Sequence, residues 1–538
     1  MALVRSEQLE ALRRRPTPWD LIVIGGGATG AGIALDAASR GYAVALIERH
    51  DFGKGTSSRS TKLIHGGVRY LATGDLSLVR EALRERSYLL RNAPHLVHEL
   101  PFVVPCRRWW ERTYYGLGLG LYQRLAGRDS LRTTRRLGRD ELLSAVPTLR
   151  PDFWWGVVYA DGQFDDARLL IDLLKTAVEQ GAVVVNYCPA RGLIQDAAGR
   201  VVGVEACDAE SGARFQLRAR LVINATGVFC DTVRRMAEAR LPPLVAPSQG
   251  VHLVLPGRFL PGHHALMIPR TDDGRVLFAI PWHGHVLLGT TDVARSDAPL
   301  EPRASDAEID FILDTAGHYL TPAPTRADVL SVFVGIRPLV RAARTRSTAR
   351  LSRDHTIQVE VPGLLTITGG KWTTYRNMAE DAVNQAARLA GLPERPCLTA
   401  HLPIHGGGAA SARTDHRWVY GSDAAAVAQL AAARPEWATP LHADLPYTAA
   451  EVVWAARQEM ARTVEDVLAR RTRALMLNAR AAMTAAPKVA ALLARECGRD
   501  AAWEAAQVAD FTALAQGYLP LPDGPRAGNL MPAADGGS

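Results

Sequence analysis

A glycine-rich turn near the N-terminus is the feature that most constrains how this chain folds. The apolar run 21–24 is typical of a buried parallel strand, and Gly25, Gly27 and Gly30 follow it. Glycines at this spacing permit a tight turn, a close approach to a pyrophosphate and close packing of the next helix on the sheet. Glu48 ends the next predicted strand, where its carboxylate can accept hydrogen bonds from ribose hydroxyls. The sequence therefore predicts a dinucleotide bound at this β-α-β unit.

Size and net charge limit the number of domains and the kinds of partner that this chain can have. The chain has 538 residues, enough for two or three domains, and its 63 Lys and Arg against 55 Asp and Glu give a formal charge of +8. Nucleic acid, an anionic membrane surface or anionic small molecules could each account for this excess. The arginines are scattered and form no recognised nucleic-acid module, so no nucleic-acid partner is expected.

The cysteines and the apolar runs bear on the compartment. The six cysteines lie far apart, without metal-binding spacing, which is typical of reduced thiols in a cytoplasmic protein. Residues 1–18 show no signal-peptide pattern, and no apolar run is long enough to span a bilayer. We therefore expect a cytoplasmic protein without a metal site, which would meet a membrane only at its surface.

A second glycine turn repeats the form of the first. The predicted strand 364–368 runs into Gly369, Gly370 and Lys371, and a helix is predicted from about 372 to 389. In a doubly wound parallel sheet this turn would lie at the same carboxyl edge as the first. The predicted strand 221–224 ends in a small-residue turn, 225–227, which would either reach the same site or simply end the strand.

Two segments resemble a known family. IGGGATGAGIALDAASRG at 24–41 and GGKWTTYRNMA at 369–379 are similar to the two signatures of the FAD-dependent (aerobic, respiratory) glycerol-3-phosphate dehydrogenases. Further similar segments extend the resemblance over nearly the whole chain: SSRSTKLIHGGVRYL (57–71), PRTDDGRVLFAIPW (269–282), GTTD (289–292), GIRPL (335–339) and VEDVLARRTRA (464–474). The long insertion of the soluble, oxygen-using glycerophosphate oxidases is not seen.

The resemblance implies an α/β fold with three parts. These are a Rossmann-type FAD-binding domain of the glutathione-reductase/D-amino-acid-oxidase-like class, an antiparallel-sheet substrate domain and a C-terminal α-helical domain. The expected divisions are a lead segment 1–18, an oxidoreductase region 19–397, a helical domain 398–518 and a disordered tail 519–538. Within 19–397, cofactor-binding parts are expected at about 19–75, 155–235 and 340–390, and the substrate domain mainly at 236–339 with a contribution from 76–154.

The resemblance also implies a substrate, sn-glycerol 3-phosphate, oxidised to dihydroxyacetone phosphate by hydride transfer from C2 to the flavin. Arg69, Arg337 and Lys371 occupy the family's substrate-site positions, and Tyr70 can add a hydroxyl donor. Arginine suits a dianionic phosphate because its guanidinium donates two parallel hydrogen bonds. Arg353 is a weaker substrate-binding candidate, since an exposed charge in a turn is the favoured interpretation there.

His65 is the candidate base for the hydroxyl proton, because the pKa of an unperturbed imidazole lies near the working pH. Its alternative role is structural: packing against the flavin and hydrogen-bonding a backbone group. Arg337 and Lys371 complete the catalytic candidates. His252, in a predicted strand, is interpreted as a core histidine.

Cofactor contacts are predicted along the two glycine turns and the segments beside them. The residues are Gly25, Gly27, Gly30, Glu48, Ser57, Ser58, Ala225, Thr226, Gly227, Gly369, Gly370 and Lys371.

Reduced flavin needs an acceptor, and the resemblance implies a membrane quinone. The segment 107–122 combines arginines, tryptophans, tyrosines and leucines, a composition that suits a membrane interface on the inner face of the cell membrane. Packing within the substrate domain is the alternative for its aromatic residues. The helical domain could support a homodimer. Alternative functions are a soluble glycerol-3-phosphate oxidase using oxygen, or a non-catalytic FAD-binding protein.

Overall fold

The computed structural model describes residues 3–67, 76–271, 274–341, 355–408 and 415–520. Its strands are β1 (Trp19–Ile24), β2 (Val44–Ile47), β3 (Leu63–Ile64), β4 (His98–Cys106), β5 (Arg135–Leu137), β6 (Trp155–Gln163), β7 (Val183–Val185), β8 (Ala190–Gln195), β9 (Val201–Cys207), β10 (Arg214–Asn224), β11 (Val245–Pro256), β12 (Ala265–Ile268), β13 (Leu277–Trp282), β14 (His285–Gly289), β15 (Val293–Ala294), β16 (Ser331–Val340), β17 (His355–Val361), β18 (Leu364–Gly369), β19 (Pro440–His442) and β20 (Leu445–Thr448). Its α-helices are α1 (Arg5–Arg14), α2 (Ala28–Ser39), α3 (Leu76–Asn92), α4 (Trp109–Ala126), α5 (Arg139–Ala145), α6 (Asp166–Glu179), α7 (Cys230–Ala237), α8 (Asp306–Gly317), α9 (Tyr375–Leu389), α10 (Ala424–Ala433), α11 (Ala449–Gln458), α12 (Ala474–Leu477), α13 (Ala479–Cys497) and α14 (Ala501–Gln516).

The first sheet is the parallel sheet predicted from the N-terminal motif. Its strand order is β17-β18-β10-β1-β2-β7, and its neighbours are parallel from β18 to β7. Apart from Asp20, β1 and β2 are apolar because helices and strands cover both of their faces. The carboxyl ends of β1, β10 and β18 therefore meet at one edge, which brings both glycine turns together.

One strand of this sheet is longer than its sequence pattern indicates. The predicted strand 221–224 is only the last part of β10, which begins at Arg214. The first part of β10 pairs antiparallel with β9, and the second part pairs parallel with β1 and β18. β10 stays one continuous strand because it is paired along its length, although its partners change. This pairing is non-local, so local sequence patterns do not reveal it.

The second sheet has the order β15-β11-β14-β13-β12-β4-β6-β3, with β16 beside β11 and β5 beside β6. Its neighbours are antiparallel except for β12 and β4. The segment 155–163 differs from its sequence-based assignment to a cofactor-binding part. It forms β6 of this sheet because it pairs along its whole length with β4.

The C-terminal region is mainly helical, as expected, with the hairpin β19-β20 and a π-helical turn at Asp466–Arg471. Its apolar side chains join those of the second sheet in one core cluster. Residues 521–538, most of the segment predicted to be a disordered tail, lie outside the described residues, as do residues 409–414 of the predicted helical domain. Within the described ranges, no helix is both long and apolar enough to cross a membrane.

Candidate active site

A cavity of about 620 Å³ lies where the carboxyl edge of the first sheet faces the second sheet. Glu48 and the first glycine turn line one part of it. Arg337, from β16, and Lys371, after β18, line another part. The structure thus brings the predicted dinucleotide site and two predicted substrate-binding cations into one continuous space.

The first glycine turn has no room for side chains. Gly25 has φ +112°, and a Cβ there would lie 2.7 Å from the carbonyl oxygen of Ala225. A Cβ on Gly30 would lie only 1.9 Å from the carbonyl oxygen of Gly25. Gly25 and Gly27 line the cavity, whereas Gly30 lies behind its wall and permits close packing of α2 on β1.

Glu48 lies beside this turn, directly after β2. Its carboxylate accepts hydrogen bonds from the N–H of Gly26 at 2.6 Å and the N–H of His50 at 2.8 Å. Burial raises the pKa of Glu48, although these two backbone donors act in the opposite direction. The carboxylate is therefore held against the turn at the predicted ribose position.

The segment 57–62 crosses the cavity wall between the two parallel-sheet turns. Ser57 Oγ accepts the N–H of Ala28 at the start of α2, and the carbonyl oxygen of Ser57 accepts Trp372 Nε1–H at 2.8 Å. Ser57 lines the cavity, but Ser58 is buried behind it. The carbonyl oxygen of Ser58 accepts hydrogen bonds from Lys62 Nζ and Arg473 Nη2. Ser58 thus anchors the segment rather than facing the cavity.

The small-residue turn after β10 reaches the same space. Ala225, Thr226 and Gly227 all line the cavity. The N–H of Ala225 bonds to the carbonyl oxygen of Ile24, and Thr226 Oγ1 donates to Asn224 Oδ1. This turn is therefore tied to the end of β1 and forms part of the predicted cofactor wall.

The second glycine turn is equally crowded. Gly369 and Gly370 have φ of +85° and +72°, and a Cβ on Gly370 would lie 2.4 Å from the Met378 sulfur. A short 3-10 turn at Trp372–Thr374 leads into α9, close to the predicted helix. Lys371 precedes this turn, and the cavity includes it.

Arg337 is half-buried and held from several sides. Its Nη2 donates to Thr290 Oγ1 and to the carbonyl oxygen of Thr291, both at 3.1 Å. Its Nη1 lies 3.4 Å from Asp292 Oδ1. A Cβ on Gly250 would come within 2.4 Å of Nη2, so the glycine makes room for the guanidinium. The surrounding residues thus set the orientation of the cation.

His65 also lines the cavity, just after β3. The N–H of Gly67 donates to His65 Nδ1 at 3.1 Å. A backbone N–H can only donate, so the neutral ring in this arrangement carries its proton on Nε2. The hydrogen bond to backbone is the contact that the structural role of His65 predicts.

The remaining candidates divide into two groups: three lie outside the described residues, and His252 lines the cavity from β11. Arg69, Tyr70 and Arg353 lie outside the described residues. His252 is buried on β11, stacks on Phe333 and shares a hydrogen bond with Thr61 Oγ1 at 3.0 Å. Burial, together with Arg337 and Lys62, holds the pKa of His252 well below its ordinary value.

Sequence reasoning missed one part of the cavity wall. It is formed by apolar and aromatic side chains of the second sheet together with one carboxylate: Phe102, Tyr159, Asp161, Met267 and Phe278. Alternation within β4 and β6 could have indicated a shared face, but only the pairing of these strands brings the residues beside His65.

The comparisons with known proteins are consistent with one another. Residues 20–376 match the FAD dependent oxidoreductase family, and residues 365–504 match the C-terminal domain of alpha-glycerophosphate oxidase. A mitochondrial glycerol-3-phosphate dehydrogenase of Arabidopsis thaliana is 42% identical over 525 residues, covering 89% of this chain and 83% of the relative. Its counterpart from Rattus norvegicus is 41% identical, covering 91% and 72%. The structure of a glycerol-3-phosphate dehydrogenase from Bacillus halodurans complexed with FAD is 30% identical, with a TM-score of 0.78 and coverage of 96% and 98%.

Proposed function

This chain belongs to the FAD-dependent glycerol-3-phosphate dehydrogenases, and we propose that it oxidises sn-glycerol 3-phosphate to dihydroxyacetone phosphate and passes the electrons to a membrane quinone. The expected fold class and the expected cofactor, FAD, are confirmed by the same comparisons. The observation that carries the proposed reaction is the position of Arg337 and Lys371 in the cavity that the first glycine turn also lines.

The described residues fit FAD. The glycine turns leave backbone where side chains would collide, and α2 begins directly at the first turn. Glu48 would hold the ribose, and the first turn with Ser57 would hold the pyrophosphate. The remaining part of FAD would be held by the second glycine turn and by Ala225, Thr226 and Gly227. When bound, FAD supplies an acceptor for the hydride that leaves C2 of the substrate.

Arg337 and Lys371 would bind the phosphate. Thr290 and Thr291 hold the Arg337 guanidinium in one orientation, so little conformational entropy is lost when an anion binds. Lys371 would add a second positive charge or stabilise negative charge on the cofactor. The roles of Arg69, Tyr70 and Arg353 stay predictions.

His65 would act on the C2 hydroxyl of the substrate as the base that accepts its proton. To accept a proton at Nε2, the neutral ring must first carry its own proton on Nδ1, which requires the Gly67 bond to open. The proposal that His65 is the base includes this change of tautomer. In the alternative role the bond persists, and His65 orients substrate or cofactor by donating from Nε2.

A surface helix supports attachment to a membrane. Trp109, Tyr114 and Leu117 of α4 are 65%, 66% and 67% exposed, and Trp110 and Leu121 are exposed beside them. Arg107 and Arg108 precede the helix. Exposed aromatic and apolar side chains beside arginines suit an anionic lipid surface. A peripheral position on the inner face of the cell membrane would give the enzyme access to quinone.

The test of the reaction is an anaerobic absorbance spectrum of the purified holoenzyme before and after glycerol 3-phosphate is added. Bleaching of the flavin band is expected, and an unchanged band would overturn the substrate assignment. Reoxidation by a short-chain quinone should then exceed reoxidation by oxygen. Stoichiometric hydrogen peroxide with no response to quinone would identify an oxidase instead.

Membrane attachment is tested with anionic phospholipid vesicles in a flotation assay. Trp110→Glu should weaken binding by about tenfold, since a charge replaces an interfacial aromatic side chain. Leu398→Glu is the matched control, because Leu398 is an exposed apolar residue outside α4. Equal binding by both variants and the unaltered protein would remove α4 from the attachment surface. The homodimer stays a prediction.

A further inference from the structure

We propose that Tyr122, on the inner side of the surface helix α4, is a positioning residue that orients His65 through the intervening Gly66. The inference rests on the proposed function, because it assigns a device that serves His65 in the same cavity. Tyr122 is buried in the core shared by α4 and the second sheet, although the opposite side of α4 is exposed.

The Tyr122 hydroxyl joins two groups. It accepts the N–H of Gly66 at 2.8 Å and donates to Asp161 Oδ2 at 2.7 Å. Asp161 Oδ1 in turn accepts a hydrogen bond from Arg86 Nη1 at 2.8 Å, and all three side chains are almost fully buried. A phenol has one proton to donate, so the bond to Asp161 directs its oxygen lone pairs toward Gly66.

The turn after β3 is held at each successive N–H. The N–H of His65 donates to Thr373 Oγ1 at 3.3 Å, that of Gly66 to Tyr122, and that of Gly67 to the His65 ring. Gly67 has φ +77°, so this tight turn places its own N–H on the imidazole. Tyr122 thus holds Gly66, which lies between His65 and Gly67. The N–H of Gly67 is the group that orients the His65 ring.

The contact is also steric. A Cβ on Gly66 would lie 2.5 Å from the Tyr122 hydroxyl and 2.6 Å from Leu83 Cδ2. Gly66 is therefore enclosed between α3 and α4, and its position follows theirs. Removing the hydroxyl leaves the Gly66 N–H with Asp161 as its remaining acceptor and relaxes the turn, while the first glycine turn keeps its contacts.

The test is a double-mutant cycle on the holoenzyme. Tyr122→Phe keeps the ring and deletes the hydroxyl, and Tyr88→Phe on α3, whose ring contacts His401, is the matched control. The readouts are FAD content, KM for glycerol 3-phosphate and the anaerobic rate of flavin reduction. For Tyr122→Phe we expect an approximately tenfold lower rate, with KM within about twofold and unchanged FAD content. Tyr88→Phe should match the unaltered enzyme.

The same substitution is then made in a His65→Gln background. If Tyr122 acts through His65, Tyr122→Phe should change the residual rate by less than about twofold there. An equal loss in both backgrounds, or no loss in either, would overturn the inference. Failure of the unaltered enzyme to be reduced by glycerol 3-phosphate would instead refute the proposed function.

Discussion

Glu48 and Asp51 are only three residues apart in the chain, but they belong to regions that are built in opposite ways. We call Gly25, Gly27, Gly30 and Glu48 the glycine mouth. Its glycines have no side chains, and this leaves the backbone of the turn exposed. The charged seam is a set of buried ion pairs between the parallel-sheet domain and the C-terminal region: Asp51, Arg168, Lys175, Glu459, Arg470 and Arg471. The mouth provides space for a ligand, whereas the seam connects distant parts of the chain.

The seam's geometry shows how much depends on a few carboxylates. Asp51 accepts hydrogen bonds from Arg470 at 2.5 Å and from Arg471 at 2.8 and 2.9 Å. Glu459 accepts two bonds from Arg168, both at 2.8 Å, and one from Lys175 at 3.1 Å. Burial alone would raise the pKa of Glu459, but these cations hold it well below its ordinary value. Both carboxylates are therefore charged in the interior.

The largest effect should follow from breaking the seam. Glu459→Ala leaves Arg168 and Lys175 without their shared acceptor, and we expect a loss of about 3–5 kcal/mol in the free energy of unfolding. Urea denaturation of the holoenzyme, followed by circular dichroism, measures the loss. The control is Glu496→Ala, which breaks the exposed pair with Arg457 and should cost less than about 1 kcal/mol. Similar losses in the two variants would show that the seam is no more important than a surface ion pair.

Substitutions in the glycine mouth should have a different effect: they should weaken FAD binding while the protein stays folded. In Gly30→Ala the new methyl group would meet the carbonyl oxygen of Gly25, so α2 must move away from the turn. We expect FAD affinity to fall by about a hundredfold, or about 2.7 kcal/mol, in a protein that keeps its helical content. Flavin fluorescence during titration of the apoprotein measures the affinity. Gly138→Ala is the control, because Gly138 does not line the cavity, no atom lies within 4 Å of its Cβ and its backbone is extended. Undiminished affinity in Gly30→Ala would contradict the packing argument.

This contrast also explains which parts of the molecule could be predicted. Strand, glycine turn and helix are adjacent in sequence, so local patterns placed both turns and brought Lys371 to the cavity edge. The seam joins Asp51 to Arg471 across most of the chain, and charge patterns carry no record of such pairs. The Tyr122 contact with Gly66 depends on the packing of α4 against the turn after β3, and the place of β6 depends on its pairing with β4, so both were missed for the same reason.

Glu48 tests whether charge matters in a mouth made mainly of backbone. Glu48→Gln keeps the shape but places an amide NH2 group against one of two backbone N–H donors. We expect FAD affinity to fall by about tenfold, roughly 1.4 kcal/mol. The same fluorescence titration measures it, with Glu205→Gln, an exposed glutamate on β9, as the control. Affinity equal to that of the unaltered protein would show that the backbone alone determines binding.

The smallest effect concerns the edge of the seam, where Lys175 also contacts Asp423 and Asp423 contacts His405. Burial alone would lower the pKa of His405, but the bond to Asp423 raises it above its ordinary value. Lys175 and His405 lower the pKa of Asp423 to about 2 despite burial, so near neutral pH only the histidine titrates. Because the folded pKa of His405 is raised, its stabilisation is complete below about pH 6.5 and declines as pH rises through the folded value. Urea denaturation at pH 5.5 and 8.5 should therefore show that His405→Asn removes less than about 1 kcal/mol at the lower pH and less still at the higher. A larger loss at pH 8.5 would mean that His405 stabilises the seam as a neutral hydrogen-bonding group and not as a charge.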